Sequence, residues 1–290
     1  MPNASVFYAL AAVLAVAHVG GCSPTPATDE AVSAEPRQNA PDASTAQANA
    51  PADPIASPAA ASNANISFDD ESLSFVAAFP EAPPNDPIIA ELRRDAQAYL
   101  ASLKANARAD FDRLKKAGFE ARPWDVRVQW KYSAKAGDIV SLIGEASEYT
   151  GGAHPNHRID TYIARVTGEK IAFEDMLIAQ RSPSPAMVIA ICEALKTTKL
   201  AKIKSATILD EPIVCVGPDA NAKTEDAKLV LAPSSVTDRF GGVYAYYEPY
   251  AVGAYVEGQY VLTVQQEIFA EDLRPEFKPL FAGEAPVLEN

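Results

Sequence analysis

The chain has 290 residues, 48% hydrophobic and 22% charged, with a formal net charge of −13 at pH 7. That is ordinary globular composition and enough chain for a sizeable core. The acidic balance argues against nucleic acid or an anionic lipid surface as a partner.

Val6 to Val19 is an apolar run of fourteen residues with no lysine or arginine ahead of it. It is too short to span a bilayer as a helix but suits a secretory signal. It ends in Val19-Gly20-Gly21-Cys22, which resembles the lipobox of bacterial lipoproteins. The resemblance implies that residues 1–21 are a signal peptide. It also implies that Cys22 is acylated, palmitate included, and anchors the mature chain to a membrane. Ser23 after it favours the outer membrane, facing the periplasm. An ordinary thiol after a plain signal peptide is the alternative for Cys22.

Residues 22–66 read as a disordered tether. Ser23 to Ile66 holds fourteen alanines and seven prolines and no aromatic residue, so it buries too little apolar area to offset its ordering entropy. As a coil it spans roughly 35–40 Å, and as polyproline II about 135 Å. The tether carries five acids and one base and the signal none, which leaves −9 on residues 67–290.

The remainder predicts an α+β fold of antiparallel sheets with a long N-terminal helix and a second helix, in two lobes, 67–180 and 181–290. Ser72 to Phe79 reads as a short strand. A helix follows, capped by Asp86, with Pro87 at its first position, Lys115 and Lys116 in its last turn and Gly118 to close it. Ile89, Leu92, Ala96, Tyr99, Leu103, Ala107, Phe111 and Leu114 form one apolar stripe, which predicts packing across a sheet. The opposite face carries mixed charges such as Glu91 with Arg94 and Asp112 with Lys116.

After Pro123 the pattern alternates. Val126, Val128 and Trp130 begin a strand, residues 136–138 turn, and Ile139 to Tyr149 runs back. A loop, Thr150-Gly151-Gly152-Ala153-His154-Pro155-Asn156, leads to a third antiparallel strand from His157 to Val166. A turn at 167–170 leads to a fourth short strand. Ser184 and Pro185 start the second helix, with Val188, Ile191, Cys192 and Leu195 on one face. Pro212 to Val216, Lys228 to Ala232, Gly242 to Tyr247 and Gln259 to Gln265 read as strands, and Glu271 to Phe281 as a short helical tail.

With Cys22 lipidated, Cys192 and Cys215 are an even pair in an oxidising compartment, which favours a disulfide between helix and strand. Two buried thiols are the alternative. Such a loop is worth about 3 kcal/mol on the chain-entropy account.

Two motifs carry a resemblance. The order strand, long helix, Glu148 to Asn156, then Thr167-Gly168-Glu169-Lys170-Ile171 is similar to the extracytoplasmic module shared by the anti-sigma factor RsiV and the peptidoglycan deacetylase PdaC. Tyr244 to Tyr247, followed by Glu248 to Gly258, looks like the aromatic strand and tyrosine-rich turn of that family. The resemblance implies a two-lobed α+β module with a binding role outside the cytoplasm. The deacetylase catalytic domain of PdaC has no counterpart here, nor does a cytoplasmic sigma-binding segment. The partner implied is a protein or cell-wall ligand, with a lysozyme-like basic hydrolase or peptidoglycan as candidates.

Gly151 and Gly152 allow a sharp bend that presents His154. Ligand contact by His154, Asn156 and His157 is one reading. Hydrogen bonding of His154 to loop backbone, with His157 opening a strand, is the other. Residues 67–71 superficially resemble a polysaccharide-deacetylase metal motif, but Glu71 stands where glycine is required and His154 and His157 are three apart instead of four. No nucleophile elbow, phosphate loop or cofactor motif is present, so neither an enzyme nor a cofactor is expected. A metal-assisted wall hydrolase or deacetylase using His154 and His157, and an envelope assembly factor, are the alternatives. Six of the eleven tyrosines lie between 244 and 260. Tyr244 and Tyr246 read as cross-strand packing, Tyr250 and Tyr255 as surface contacts.

Overall fold

The computed structural model describes residues 65–83, 85–179, 184–203, 213–215 and 224–288, all within one compact unit that runs from Pro58 to Asn290. The signal segment, Cys22 and all but the last two residues of the tether lie outside the described residues. Among the described residues no helix is long and apolar enough to cross a membrane.

The architecture is α+β. A five-stranded sheet of order β1-β2-β3-β4-β5 is joined by a three-stranded sheet of order β6-β7-β8. β1 (Ile66–Asp69) begins on the residue expected to end the tether and pairs antiparallel with β2 (Leu73–Ala78). Asp70 makes this hairpin: its Oδ1 accepts from the Ser72 N–H and hydroxyl and from the Leu73 N–H. Those bonds, Ser72 first, hold the Asp70 carboxyl below its ordinary value.

α1 (Pro87–Lys116) starts as the residues dictate, with Asp86 Oδ1 accepting from the N–H groups of Ile88 and Ile89. Its buried stripe adds Ile88 and Leu100 to the expected set and leaves Tyr99 and Leu114 half-buried. The stripe covers Leu73, Phe75, Val126, Leu142 and Ala146 of the sheet. Two expected surface pairs are replaced, one by a neighbour on the same helix and one by a residue of the sheet. Asp112 binds Arg108, and Glu91 accepts from the Tyr162 hydroxyl. Because α1 crosses over the sheet, β2 lies parallel to β3 (Trp124–Ala136), whereas the other strand pairs among the described residues are antiparallel.

β3, β4 (Ile139–Tyr149) and β5 (Asn156–Arg165) form the expected antiparallel meander. The fourth short strand reduces to one bridge, Ala164 to Lys170, before a 3-10 turn at Phe173–Met176. β4 is buried on both faces from Ile139 to Gly144. Val140 and Leu142 meet the α1 side, whereas Ile143 packs with Val230, Ala232, Tyr244 and Tyr246 of the second sheet. Ser133 and Ser141 stitch the sheets together through the carbonyl and N–H of Leu231.

The second sheet comprises β6 (Lys228–Pro233), β7 (Phe240–Tyr247) and β8 (Tyr260–Gln265). Its other face packs on α2 (Pro185–Ile203) through Met187, Ile191 and Leu195. Cys192, fully buried on α2, is disulfide-bonded to Cys215. Residues 213–215 do not form the expected strand, so the bridge ties the helix to an irregular segment. The helical tail is likewise corrected to separate 3-10 turns, among them Ala270–Asp272 and Lys278–Leu280. Pro275 and Pro279 withhold donors that a continuous helix needs, while Phe269, Leu273, Phe277 and Phe281 still bury.

Candidate functional site

The β4–β5 loop and the β7–β8 turn, far apart in sequence, meet in space. In the first, Gly151 and Gly152 sit at φ 104° and 103°, with open space where a Cβ would stand. The backbone conformation therefore demands glycine, not crowding. Tyr149 closes the loop by donating its hydroxyl to the Gly152 carbonyl at 3.2 Å.

The bend delivers His154 onto the tyrosine turn. Its ring stacks on Tyr255 with centroids 3.7 Å apart and planes at 18°. Nδ1 lies 3.1 Å from the Pro155 carbonyl and Nε2 3.1 Å from the Tyr250 hydroxyl. A carbonyl only accepts, so Nδ1 carries a proton, and when the ring is neutral Nε2 accepts from the Tyr250 O–H. The Tyr255 hydroxyl donates to the same Pro155 carbonyl at 2.9 Å. Tyr250 leans on Tyr255 at 5.4 Å, and the exposed His157 ring lies 6.2 Å from Tyr255. Partial desolvation, then the charge of His154, hold the His157 imidazole below its ordinary value.

The turn is built to hold these rings out. Tyr250 is 62% exposed although it adopts a left-handed φ of 74°, a costly conformation for a bulky residue. Val256, which follows Tyr255 in a 3-10 turn, is 91% exposed. Glu248 Oε1 accepts from the Ile159 N–H at 2.7 Å, which fastens the turn to the edge strand β5. From the other side α2 grips it. Lys199 donates to the Val252 carbonyl and pairs with Glu257 at 3.2 Å, and Lys202 donates to the carbonyls of Glu257 and Gln259. Glu257 also accepts from the Tyr260 hydroxyl and the Ala254 N–H. Burial pushes the Glu257 carboxyl up, but Tyr260, Ala254 and Lys199 together outweigh it and hold it below its ordinary value. Gly253 is required by close approach: a Cβ there would stand 2.3 Å from Glu257 Oε2.

Of the residues singled out in the sequence, His154, His157, Tyr250 and Tyr255 come together, with exposed Asn156 between the histidines. Gly151 and Gly152 instead line a separate open cleft of about 410 Å³ beside the end of α1, with Arg113 and Arg122. Both cations are paired, to Asp110 and Glu120. Tyr244 and Tyr246 are buried as expected, and desolvation pushes the Tyr246 hydroxyl up to about 12. Arg158 spans Glu148 and Asp160 and lies over Tyr99, which fixes the start of β5.

Among the described residues no three His, Cys, Asp or Glu side chains cluster as metal ligands. His154, moreover, has both ring nitrogens engaged. Glu248, Glu257, Lys199 and Lys202 were not singled out. A signal existed for the lysines: 195, 199 and 202 continue the apolar stripe of α2, and a lysine on such a stripe needs a partner.

Residues 61–157 match the family model described as "Deacetylase PdaC". A DUF3298 family member from Bacteroides fragilis is 14% identical with a TM-score of 0.46, over 71% of this chain and 86% of that one. A DUF3298 family protein from Pseudomonas aeruginosa is 16% identical with a TM-score of 0.42, over 76% and 94%. No curated protein matches the chain. Over residues 61–157, which include the loop through His154 and His157, the chain carries a PdaC-like module.

Proposed function

We propose that the protein is a lipid-anchored binding protein of the cell envelope. In this reading Cys22 holds it at the outer membrane, facing the periplasm, and the joined His154–Tyr250–Tyr255 surface takes a protein or cell-wall ligand. The observation that carries the reading is the convergence of two stretches 96 residues apart on one exposed aromatic cluster. Rigid aromatic anchors at a surface are what recognition sites use, since they add contact area at little entropic cost. A basic hydrolase of lysozyme type fits the charge of the folded part, because an acidic protein captures a basic one faster by steering.

Full-length protein in detergent, immobilised and challenged with lysozymes and with purified peptidoglycan, tests this. Retention of at least one, weakened about tenfold by Tyr250→Ala, is expected. Retention of neither at low salt refutes the reading. Loss of labelled palmitate in Cys22→Ser tests the anchor, and an unlabelled wild type removes it.

A further inference from the structure

The aromatic cluster presents a particular chemistry. Its open surfaces are the Tyr250 ring, Val256 and the His157 imidazole, with Asn156 alongside. The polar groups among them are a phenol, an imidazole held toward its neutral form and an amide. None carries a formal charge at neutral pH.

The carboxylates around the cluster keep their charge but are committed to bonds within the fold. Glu248 accepts from the Ile159 N–H, Glu257 is bound by Tyr260, Ala254 and Lys199, and Glu148 and Asp160 are held by Arg158. The exposed face of the Tyr250 ring, tilted 42° from Tyr255 and flanked by the neutral groups of His157 and Asn156, complements a ligand with an apolar C–H face and a rim of hydroxyls or amides. That is the chemistry of a pyranose ring, whose axial C–H bonds meet the negative face of an aromatic ring while its equatorial groups hydrogen-bond outward.

Resting on the binding role proposed above, we infer that the Tyr250–Tyr255–His154 cluster is a saccharide platform. An uncharged oligosaccharide would stack on Tyr250, with His157 and Asn156 taking its hydroxyl or amide groups. The left-handed Tyr250 backbone and the grip of α2 on the turn pre-set the ring, so little ordering is left to binding.

Calorimetric titration of the full-length protein in detergent with three soluble probes tests the inference. They are a β-1,4-linked N-acetylglucosamine tetramer, a β-1,4-linked glucose tetramer and tetralysine. Binding of either sugar supports it if Tyr250→Ala weakens binding about tenfold while Tyr250→Phe keeps it within about threefold. Preference for the first sugar over the second assigns the amide to the recognised groups; equal affinity leaves the hydroxyls as the determinant. Comparable melting temperatures for both variants exclude loss of folding.

Binding of tetralysine alone overturns the platform. So does binding of neither sugar, and if Tyr250→Ala still abolishes retention of a lysozyme, the surface stands and only its ligand class falls. If Tyr250→Ala changes neither sugar binding nor retention, both the platform and the proposed contact surface fall.

Discussion

Replacing Lys199 by methionine tests whether α2 holds the tyrosine turn electrostatically. Lys199 and Glu257 are 3.2 Å apart with side chains only 11% and 16% exposed, so water does little to screen them. Met keeps the stem but removes the partner of a desolvated carboxylate and the donor to the Val252 carbonyl. Tyr260 and the Ala254 N–H remain on Glu257. The expected loss is therefore about 2–4 kcal/mol at pH 7, at or below the figure for orphaning a fully buried charge. For a unit of this size that is a fall of roughly 5–15 °C in Tm.

The pH dependence is the sharper signature. In the wild type the Glu257 pKa is depressed, so its contribution is present above the unfolded carboxylate value and is lost as pH falls through the lower folded value. Without Lys199, burial outweighs the remaining hydrogen bonds and the folded pKa moves up. Protonation then relieves the variant as pH drops, so the difference from wild type is largest at pH 7 and shrinks toward pH 4. Urea unfolding at the two pH values, compared at constant m, measures it. Adding Glu257→Gln should recover part of the loss at pH 7, since an amide oxygen still accepts from Tyr260. A deficit under about 0.5 kcal/mol, or one that does not change with pH, refutes the reasoning.

Gly253→Ala should displace Glu257 and cost about 1–3 kcal/mol, with Tyr250 exchange broadening in NMR spectra; a neutral substitution would mean that Glu257 does not sit against Gly253. Intact mass before and after reduction should differ by two hydrogens for the Cys192–Cys215 bridge, and Cys215→Ser should lower stability by about 3 kcal/mol. His157 should titrate below 6.5, and His154→Gln should move it upward by removing the neighbouring charge. Because its folded pKa is lowered, the stability it contributes is present above pH 6.5 and lost as pH falls through the folded value. A midpoint at or above 6.5 in the wild type contradicts the packing around it.

The elements that could be read along the chain are those set by local rules. α1 was legible because cap, first-turn proline, stripe and terminal lysines agree, and the β3–β4–β5 meander because its alternation is long. β1 was not legible: Ile66-Ser67-Phe68-Asp69 alternates, but four residues are too short a run to stand out from the tether before them, and their stability comes from Asp70 and from Lys104 lying over Phe68 at 3.8 Å. The parallel pairing of β2 with β3 is equally silent locally, since a strand's direction depends on where the crossover helix returns the chain. At 270–280 the apolar spacing mimicked a helix, and the prolines decided otherwise.

The site shows the same division. Glycines that need left-handed φ and tyrosines crowded into a turn are local signals, and both stretches were visible as candidates in competition. What no local rule supplies is that they are one surface. That outcome depends on β5 ending the first sheet where β7 leaves the second, so that Glu248 reaches the free N–H of Ile159 on the sheet edge. An edge N–H is a liability when left open; here one carboxylate closes it and in doing so delivers Tyr250 to His154. Glu248→Gln should keep the register, because an amide oxygen also accepts, whereas Glu248→Ala should release the turn and separate the two rings.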